Sequence, residues 1–152
     1  MGDTPENGSG GDAEVPFELV DVQLSRVVMR DGADRQYIYL QEDGGERGFP
    51  IVIGTGEAGE IHRVIHGVEP ERPLTHQLAH DALVALGASL EAVDIVDLKQ
   101  NTFFARLVLR SPGGDEVDVD ARPSDAIALA LRAGARLRVA EAVLRRAGSQ
   151  PE

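Results

Sequence analysis

The sequence predicts an α+β protein, with a mixed, largely antiparallel β-sheet and about four helices in a single domain. With 152 residues, 42% of them hydrophobic, the chain is long enough to bury one core and short for two. Segments with the alternating pattern of strands outnumber segments with helical spacing. The two kinds are grouped along the chain rather than strictly alternating, which favours α+β over a doubly wound fold.

The first half of the chain is predicted to form three strands and then two helices. Apolar residues alternate along three segments separated by turn residues, at 18–29, 37–40 and 49–53. We expect these strands to form an antiparallel meander. Helical spacing then runs from Ala58 to Ile65, ended by Gly67. A second helix places Leu78 and Leu86 on one apolar face, the kind of face that usually packs on a core.

The second half follows a similar order. The predicted elements are three strands, a helix, a strand and a helix, at residues 93–98, 103–109, 117–121, 126–133, 137–139 and 141–147. Gly87 and Gly134 are expected to end the second and third helices. Thr75 and Ser124 are their predicted N-caps, because a short hydroxyl side chain can accept a hydrogen bond from a free N–H group.

Composition limits the classes of function. The chain has no cysteine, which excludes disulfides, thiolate catalysis and cysteine-based zinc sites. No segment approaches the roughly 18 apolar residues of a membrane span, so the protein is predicted to be soluble and cytoplasmic, with no membrane partner. Residues 1–16 are predicted to be a disordered acidic tail, 17–148 the folded domain and 149–152 a short C-terminal tail.

The net charge of −11 argues against a protein that coats nucleic acid non-specifically. The charge is unevenly distributed, however. Residues 1–16 contain four acidic residues and no basic ones, whereas residues 122–152 contain six arginines. An anionic ligand is therefore more compatible with the second half of the chain than the total suggests.

Two Arg-Pro dipeptides stand just before predicted helices, Arg72-Pro73 and Arg122-Pro123. Proline suits a helix start, because its missing N–H is not needed there. The arginines need another explanation, since the helix dipole disfavours a cation at this end. A guanidinium beside free N–H groups, with Thr75 or Ser124 close by, would make a good phosphate site.

The alternative interpretation of both arginines is structural. Arg122 could pair with Asp120 or Asp125, and Arg72 with a neighbouring glutamate. Structural ion pairs are common, and the residues alone favour this interpretation.

The four histidines form two pairs spaced four residues apart, His62 with His66 and His76 with His80. Such spacing puts each pair on one helix face and could contribute to a metal site, but it often arises by chance. His76 differs from the others, because it lies in the first helical turn, close to Arg72. It is the candidate for general acid–base catalysis of phosphodiester cleavage.

The strand before Arg122 contains alternating acids. Asp115, Glu116 and Asp118 are expected to be solvated and the two valines between them and Asp120 to be buried. Asp120 ends the strand and is positioned to meet a site. Several carboxylates near a histidine and an arginine could hold Mg²⁺ or Mn²⁺ for phosphodiester hydrolysis.

Five motifs occur together and in order, and with them the chain, over about residues 18–148, resembles the bifunctional nuclease domain family. They are Ile51-Val52-Ile53-Gly54, Glu57-Ala58, Arg72-Pro73-Leu74-Thr75-His76, Asn101-Thr102-Phe103-Phe104-Ala105 and Asp120 to Ala130. The resemblance implies a mixed α/β domain that tends to form homodimers, and plant members are described as cleaving both DNA and RNA.

The chain departs from the family pattern in three places. Small apolar residues are usual where Glu60, His62, Arg63 and His66 stand. Gln77 replaces a common aspartate, which removes one carboxylate from a metal site built on that motif. The aromatic pair is Phe103-Phe104 rather than Phe-Tyr, so no phenol is available there.

The leading hypothesis is a metal-assisted phosphodiesterase acting on DNA or RNA. Its predicted catalytic residues are His76, Asp120, Asp125 and Glu57, of which the three carboxylates are the candidate Mg²⁺ or Mn²⁺ ligands. Its predicted phosphate-binding residues are Arg72, Arg122, Thr75 and Ser124. The main alternative is a non-enzymatic, dimeric regulatory module in which the Arg-Pro motifs hold the fold through buried ion pairs. A third hypothesis is a module that binds nucleotides or other small anions.

Overall fold

The computed structural model describes residues 18–148, so both predicted tails lie outside the described residues. Seven strands and four helices follow one another along the chain. Their bounds are β1 Leu19–Val28, β2 Arg35–Glu42, β3 Gly48–Gly54, α1 Thr55–His66, α2 Thr75–Ala85, β4 Ser89–Lys99, β5 Thr102–Arg110, β6 Glu116–Ala121, α3 Pro123–Ala133, β7 Arg136–Ala140 and α4 Glu141–Gly148.

All seven strands belong to one sheet, in the order β3-β2-β1-β7-β4-β5-β6. The predicted antiparallel meander of β1, β2 and β3 is confirmed. The pair β4 and β7 is parallel, which makes a largely antiparallel sheet a mixed one. The sheet is curled: Phe49 of the edge strand β3 stacks on Phe103 of β5 with ring centroids 5.3 Å apart, although four strands lie between them in the sheet. The predicted α+β class is therefore confirmed.

Helix α3 is the central helix of the single core. Its apolar residues from Ala126 to Ala130 are all buried, and it packs against α1, α2, β4 and β5. Gly134 ends it with φ 68°, a left-handed conformation that glycine adopts without strain. This buried helix gives the residues at its N-terminus a rigid support.

Helix α2 differs from its prediction, because its apolar face is exposed. None of its residues is buried, and Leu78 and Leu86 have 61% and 76% of their surfaces exposed. Leu83 alone of its large apolar residues is partly buried against the core. The spacing correctly indicates an amphipathic helix, but it cannot show what lies opposite the apolar face.

Both predicted N-caps are wrong. Leu74 and Arg122 occupy the N-cap positions of α2 and α3, with no capping hydrogen bond from a side chain. Helix α2 begins at Thr75 itself, and Ser124 is buried within the first turn of α3, after Pro123. In α3, Pro123 directly after the cap position begins the helix two residues earlier than expected.

The valines of β6 are also exposed rather than buried. Val117 and Val119 keep 44% and 40% of their surfaces accessible. Strand β6 lies at the edge of the sheet, so its apolar side is covered less completely than an inner strand's. The neighbouring acids Asp118 and Asp120 are exposed, as the sequence predicted for Asp118.

One carboxylate of the sheet is fully buried. Asp94 of β4 has no exposed surface and accepts hydrogen bonds from Arg106 of β5 and Arg138 of β7. The shortest of these joins Arg138 Nε to Asp94 Oδ1 at 2.6 Å. Asp94 thereby links three adjacent strands.

No helix among residues 18–148 is long and apolar enough to cross a membrane.

Candidate active site

A cleft of about 620 Å³ opens where the starts of α1, α2 and α3 meet. Its lining residues are Gly56, Glu57, Arg63, Leu74, Thr75, His76, Ala79, Arg122, Asp125 and Leu129. The cleft falls within the range of about 300–1,000 Å³ that is usual for small-molecule sites. It brings together the two Arg-Pro segments, which are 49 residues apart at their closest contact.

Four polar side chains in the cleft form a continuous set of hydrogen bonds, here called the Asp125 cluster. His76 Nε2 and Asp125 Oδ1 are 2.9 Å apart. Arg122 donates to the other oxygen of Asp125 from Nε at 3.0 Å and from Nη2 at 2.9 Å. Arg122 Nη2 also lies 3.3 Å from Glu57 Oε2. The cluster thus runs His76, Asp125, Arg122, Glu57.

The local sequence explains these positions. Pro123 begins α3 and fixes Arg122 in an extended conformation at the N-cap. Asp125 lies in the first turn of α3, where a carboxylate is favoured by the helix dipole. Glu57 has the same place in α1. A Cβ atom on Gly54 would lie 2.6 Å from Glu57 Oε1, so this glycine lets the carboxylate reach Arg122.

The electrostatics of the Asp125 cluster keep it charged. Burial alone would raise the pKa of Asp125, but hydrogen bonds from His76 and Arg122 outweigh burial and lower that pKa below its usual range. The same contacts raise the pKa of Arg122, chiefly through its hydrogen bond to Asp125. The side chain of Arg122 remains 68% exposed, so it faces solvent at the mouth of the cleft.

Three residues predicted for the site lie elsewhere. Arg72 is exposed, does not line the cleft and makes no hydrogen bond or ion pair with the described part of the chain. Asp120 is exposed on β6, paired in register with Arg106 of β5. Ser124 is buried beside β3 and the β4–β5 turn. Thr75 lines the cleft as expected, although it caps no helix.

The carboxylates predicted to hold a metal do not fit an ion in this arrangement. Both oxygens of Asp125 accept hydrogen bonds, from His76 and from Arg122. Glu57 is bonded to Arg122, and Asp120 is outside the cleft. Over residues 18–148, no three histidine or acidic side chains converge as a metal centre requires.

The cleft contains one cation that the sequence did not single out for a site, Arg63 of α1. Arg63 Nη2 donates to Glu60 Oε1 at 3.1 Å, and Arg132 of α3 donates to Glu60 Oε2. Glu60 is 1% exposed, and hydrogen bonds from the two arginines outweigh its burial and lower its pKa. These three residues form the Glu60 cluster. The only available signal was the departure of Glu60 and Arg63 from the apolar residues usual in the family.

The remaining histidines do not line the cleft. His62 and His66 stack on the surface of α1 with ring centroids 4.1 Å apart, and His66 is hydrogen-bonded to the carbonyl of His62. His80 lies one turn after His76 on α2 and is half-buried.

Comparison with known proteins places the chain in a family. The model of the bifunctional nuclease domain matches residues 38–152. An uncharacterized protein of Mycobacterium tuberculosis is 43% identical over 128 residues, which cover 84% of this chain and 76% of that protein. Bifunctional nuclease 1 of Oryza sativa subsp. japonica is 26% identical over 107 residues, which cover 68% of this chain but 32% of the rice protein. The chain belongs to the bifunctional nuclease domain family.

Proposed function

We propose that the protein is a phosphodiesterase that cleaves DNA or RNA in the cleft between α1, α2 and α3. The observation that carries the proposal is the contact between His76 and Asp125, with Arg122 on the second oxygen of the same carboxylate. A histidine oriented by a carboxylate, next to an exposed guanidinium, combines proton transfer with recognition of a phosphate.

The residues suggest the following sequence of steps. When His76 carries its proton on Nε2, it donates that proton in a hydrogen bond to Asp125 and leaves Nδ1 free as a base. Nδ1 takes a proton from the attacking water as the water oxygen forms its bond to phosphorus. The P–O bond on the opposite side of phosphorus then breaks, the leaving oxygen takes a proton from solvent water, and the imidazolium, stabilised by Asp125, loses its proton to solvent.

Arg122 is suited to hold the phosphate during these steps. Its Nε and Nη2 atoms bind Asp125 and Glu57, whereas Nη1 makes no hydrogen bond to the described residues. Nη1 can therefore donate to a phosphate oxygen while the rest of the guanidinium stays fixed. Negative charge that develops on the phosphoryl oxygens would be stabilised by this preorganised cation.

Replacing Arg122 by alanine is expected to lower kcat/KM by about 10- to 100-fold, the loss of one charge-assisted hydrogen bond. Cleavage of single-stranded DNA and RNA oligonucleotides would be measured with Mg²⁺, with Mn²⁺ and with a chelator, which shows whether cleavage depends on a divalent ion. The melting temperature should change little, since exposed ion pairs contribute about 0–1 kcal/mol. Arg72→Ala is the matched control and should cleave like wild type.

The regulatory alternative makes the opposite prediction for Arg122→Ala. If Arg122 mainly held the fold, the substitution would lower the melting temperature sharply, and the wild type would not cleave under any of the three conditions. The 68% exposure of the Arg122 side chain argues against that alternative. Wild-type protein that is inactive throughout would nevertheless overturn the nuclease proposal.

We further infer a homodimer that buries the exposed apolar side of α2. This side runs along Leu74, Leu78, Ala82, Ala85 and Leu86, with the exposed Asp81 at its edge. A chain with a net charge of −11 can associate with a second copy most easily through such a mainly apolar surface. The stripe therefore fits a second copy of this chain.

Leu78→Asp is expected to convert the dimer into a monomer, because it would bury two opposed carboxylates near the middle of the stripe. Light scattering after size-exclusion chromatography would measure the mass. Val52→Asp, at another exposed apolar position, is the control and should leave the mass unchanged. A wild-type protein that is monomeric at high micromolar concentration would contradict the assignment.

A further inference from the structure

Two separate groups of charged side chains contribute an arginine to the cleft. In the Asp125 cluster, Arg122 contacts Asp125 and Glu57. In the Glu60 cluster, Arg63 contacts Glu60, which is shared with Arg132. No ion pair between described residues joins the two clusters, although Arg63 and Arg122 both line the cleft. The cleft therefore presents two guanidinium groups that are fixed independently.

The Glu60 cluster has an excess of positive charge. One buried carboxylate, that of Glu60, is shared by two guanidinium groups, and Arg132 is held more deeply, with 12% of its side chain exposed against 30% for Arg63. The positive charge that Glu60 does not neutralise therefore faces the cleft at Arg63, the member of the cluster that lines it. Although the protein as a whole has a net charge of −11, the excess positive charge at Arg63 favours an anion at this position.

Arg63 also has a donor without a partner. Its Nε atom is buried and forms no hydrogen bond in the described structure, whereas Nη2 is anchored on Glu60. A buried N–H group without an acceptor is destabilising, so Arg63 would gain a hydrogen bond if its side chain turned this group towards an acceptor in the cleft. The helix surface near Arg63 is open at Gly56, where an added Cβ atom would meet nothing within 4 Å, whereas Nη1 of Arg63 lies against Gly59.

We propose that Arg63 binds a second phosphate of the substrate, next to the phosphate held by Arg122. This inference rests on the proposed function, because it assumes that Arg122 holds the phosphate that is cleaved. It adds to that function the class of substrate that the cleft would bind. The favoured ligand is a strand segment with at least two consecutive phosphates, such as a 5′-phosphorylated dinucleotide. The role expected from the sequence for Arg72 would then belong to Arg63 and not to the exposed Arg72.

Binding of two probes tests this proposal without turnover, in the background of the His76→Ala variant. The probes are the thymidine dinucleotide with a 5′-phosphate, pTpT, and the same dinucleotide without it, TpT. Without a further substitution, pTpT should bind about 10-fold more tightly than TpT, as expected for one additional charge-assisted contact. Adding Arg63→Ala should abolish that preference by weakening pTpT alone, whereas adding Arg72→Ala should leave it intact.

Kinetics with two substrates give a second, independent readout. In an otherwise wild-type chain, Arg63→Ala should raise KM for an oligonucleotide about 10-fold with little change in kcat. Cleavage of bis(4-nitrophenyl) phosphate, which has one phosphate, should be affected much less than cleavage of the oligonucleotide. Arg63→Lys, which keeps the charge but not the Nε donor, should lie between wild type and Arg63→Ala. A merely structural role would affect both substrates alike.

The outcomes separate this inference from the nuclease proposal. If no cleavage occurs but Arg63→Ala abolishes the preference for pTpT, the second phosphate site stands and the nuclease proposal fails. If cleavage occurs and Arg63→Ala changes neither KM nor the preference for pTpT, the nuclease proposal stands and the role of Arg63 is wrong. Equal binding of pTpT and TpT by the protein with Arg63 intact would also overturn the inference.

Discussion

Replacing Asp94 by alanine is expected to lower the free energy of unfolding by about 3–5 kcal/mol, the cost of breaking a buried ion pair from one side. Asp94 is completely buried and accepts hydrogen bonds from Arg106 and Arg138. Without this carboxylate, the partly buried guanidinium groups of Arg106 and Arg138 lose the acceptor that they share. Urea denaturation at neutral pH, followed by circular dichroism, would measure the change.

Two variants make this prediction sharper. Asp97→Ala on the same strand removes a carboxylate that is 41% exposed and pairs with Lys99 at 3.6 Å, so it should cost about 1 kcal/mol or less. Replacing all three members, as Asp94→Leu with Arg106→Met and Arg138→Met, should restore most of the stability, because no buried charge is then unpaired. If Asp94→Ala alone costs no more than Asp97→Ala, the two arginines are solvated without their partner and the network is not important for stability.

The order of elements could be predicted because each leaves a local pattern. Strands β1 to β3 alternate and are separated by turns, and glycines at positions 67 and 134 mark the ends of α1 and α3 with positive φ angles. Burial could not be predicted as well, since it depends on what lies opposite each surface. Leu78 and Val119 have the pattern of buried residues, yet a helix at the margin of the core and a strand at the edge of the sheet leave them exposed.

The site shows the same distinction between local and long-range information. The sequence identified His76, Arg122, Asp125 and Glu57, and all four meet in one cleft. Neither the spacing of the two Arg-Pro motifs nor their composition could show that only the second motif places its arginine in the cleft. Arg63 belongs to the cleft through the packing of α1 against α3, a contact that leaves no local pattern.

Replacing His76 by alanine should reduce kcat by about 10²- to 10⁴-fold, the usual contribution of one general acid–base group. The substitution removes the only imidazole that lines the cleft in the described chain, and it leaves Asp125 paired with Arg122. The fold should therefore persist, as a thermal melt would show. His80→Ala, one helical turn further along α2, is the matched control and should retain the wild-type rate.

The pH dependence of cleavage gives this mechanism a further test. Because the pKa of Asp125 is lowered, its carboxylate is ionised at any pH above its ordinary value of 3.8, and its support of His76 is lost only as the pH falls through the lowered pKa. A fall in rate on milder acidification would then not arise from Asp125, and it should be absent from the residual activity of His76→Ala. If His76→Ala cleaves as fast as wild type, or shows the same fall in rate at acidic pH, proton transfer does not pass through His76.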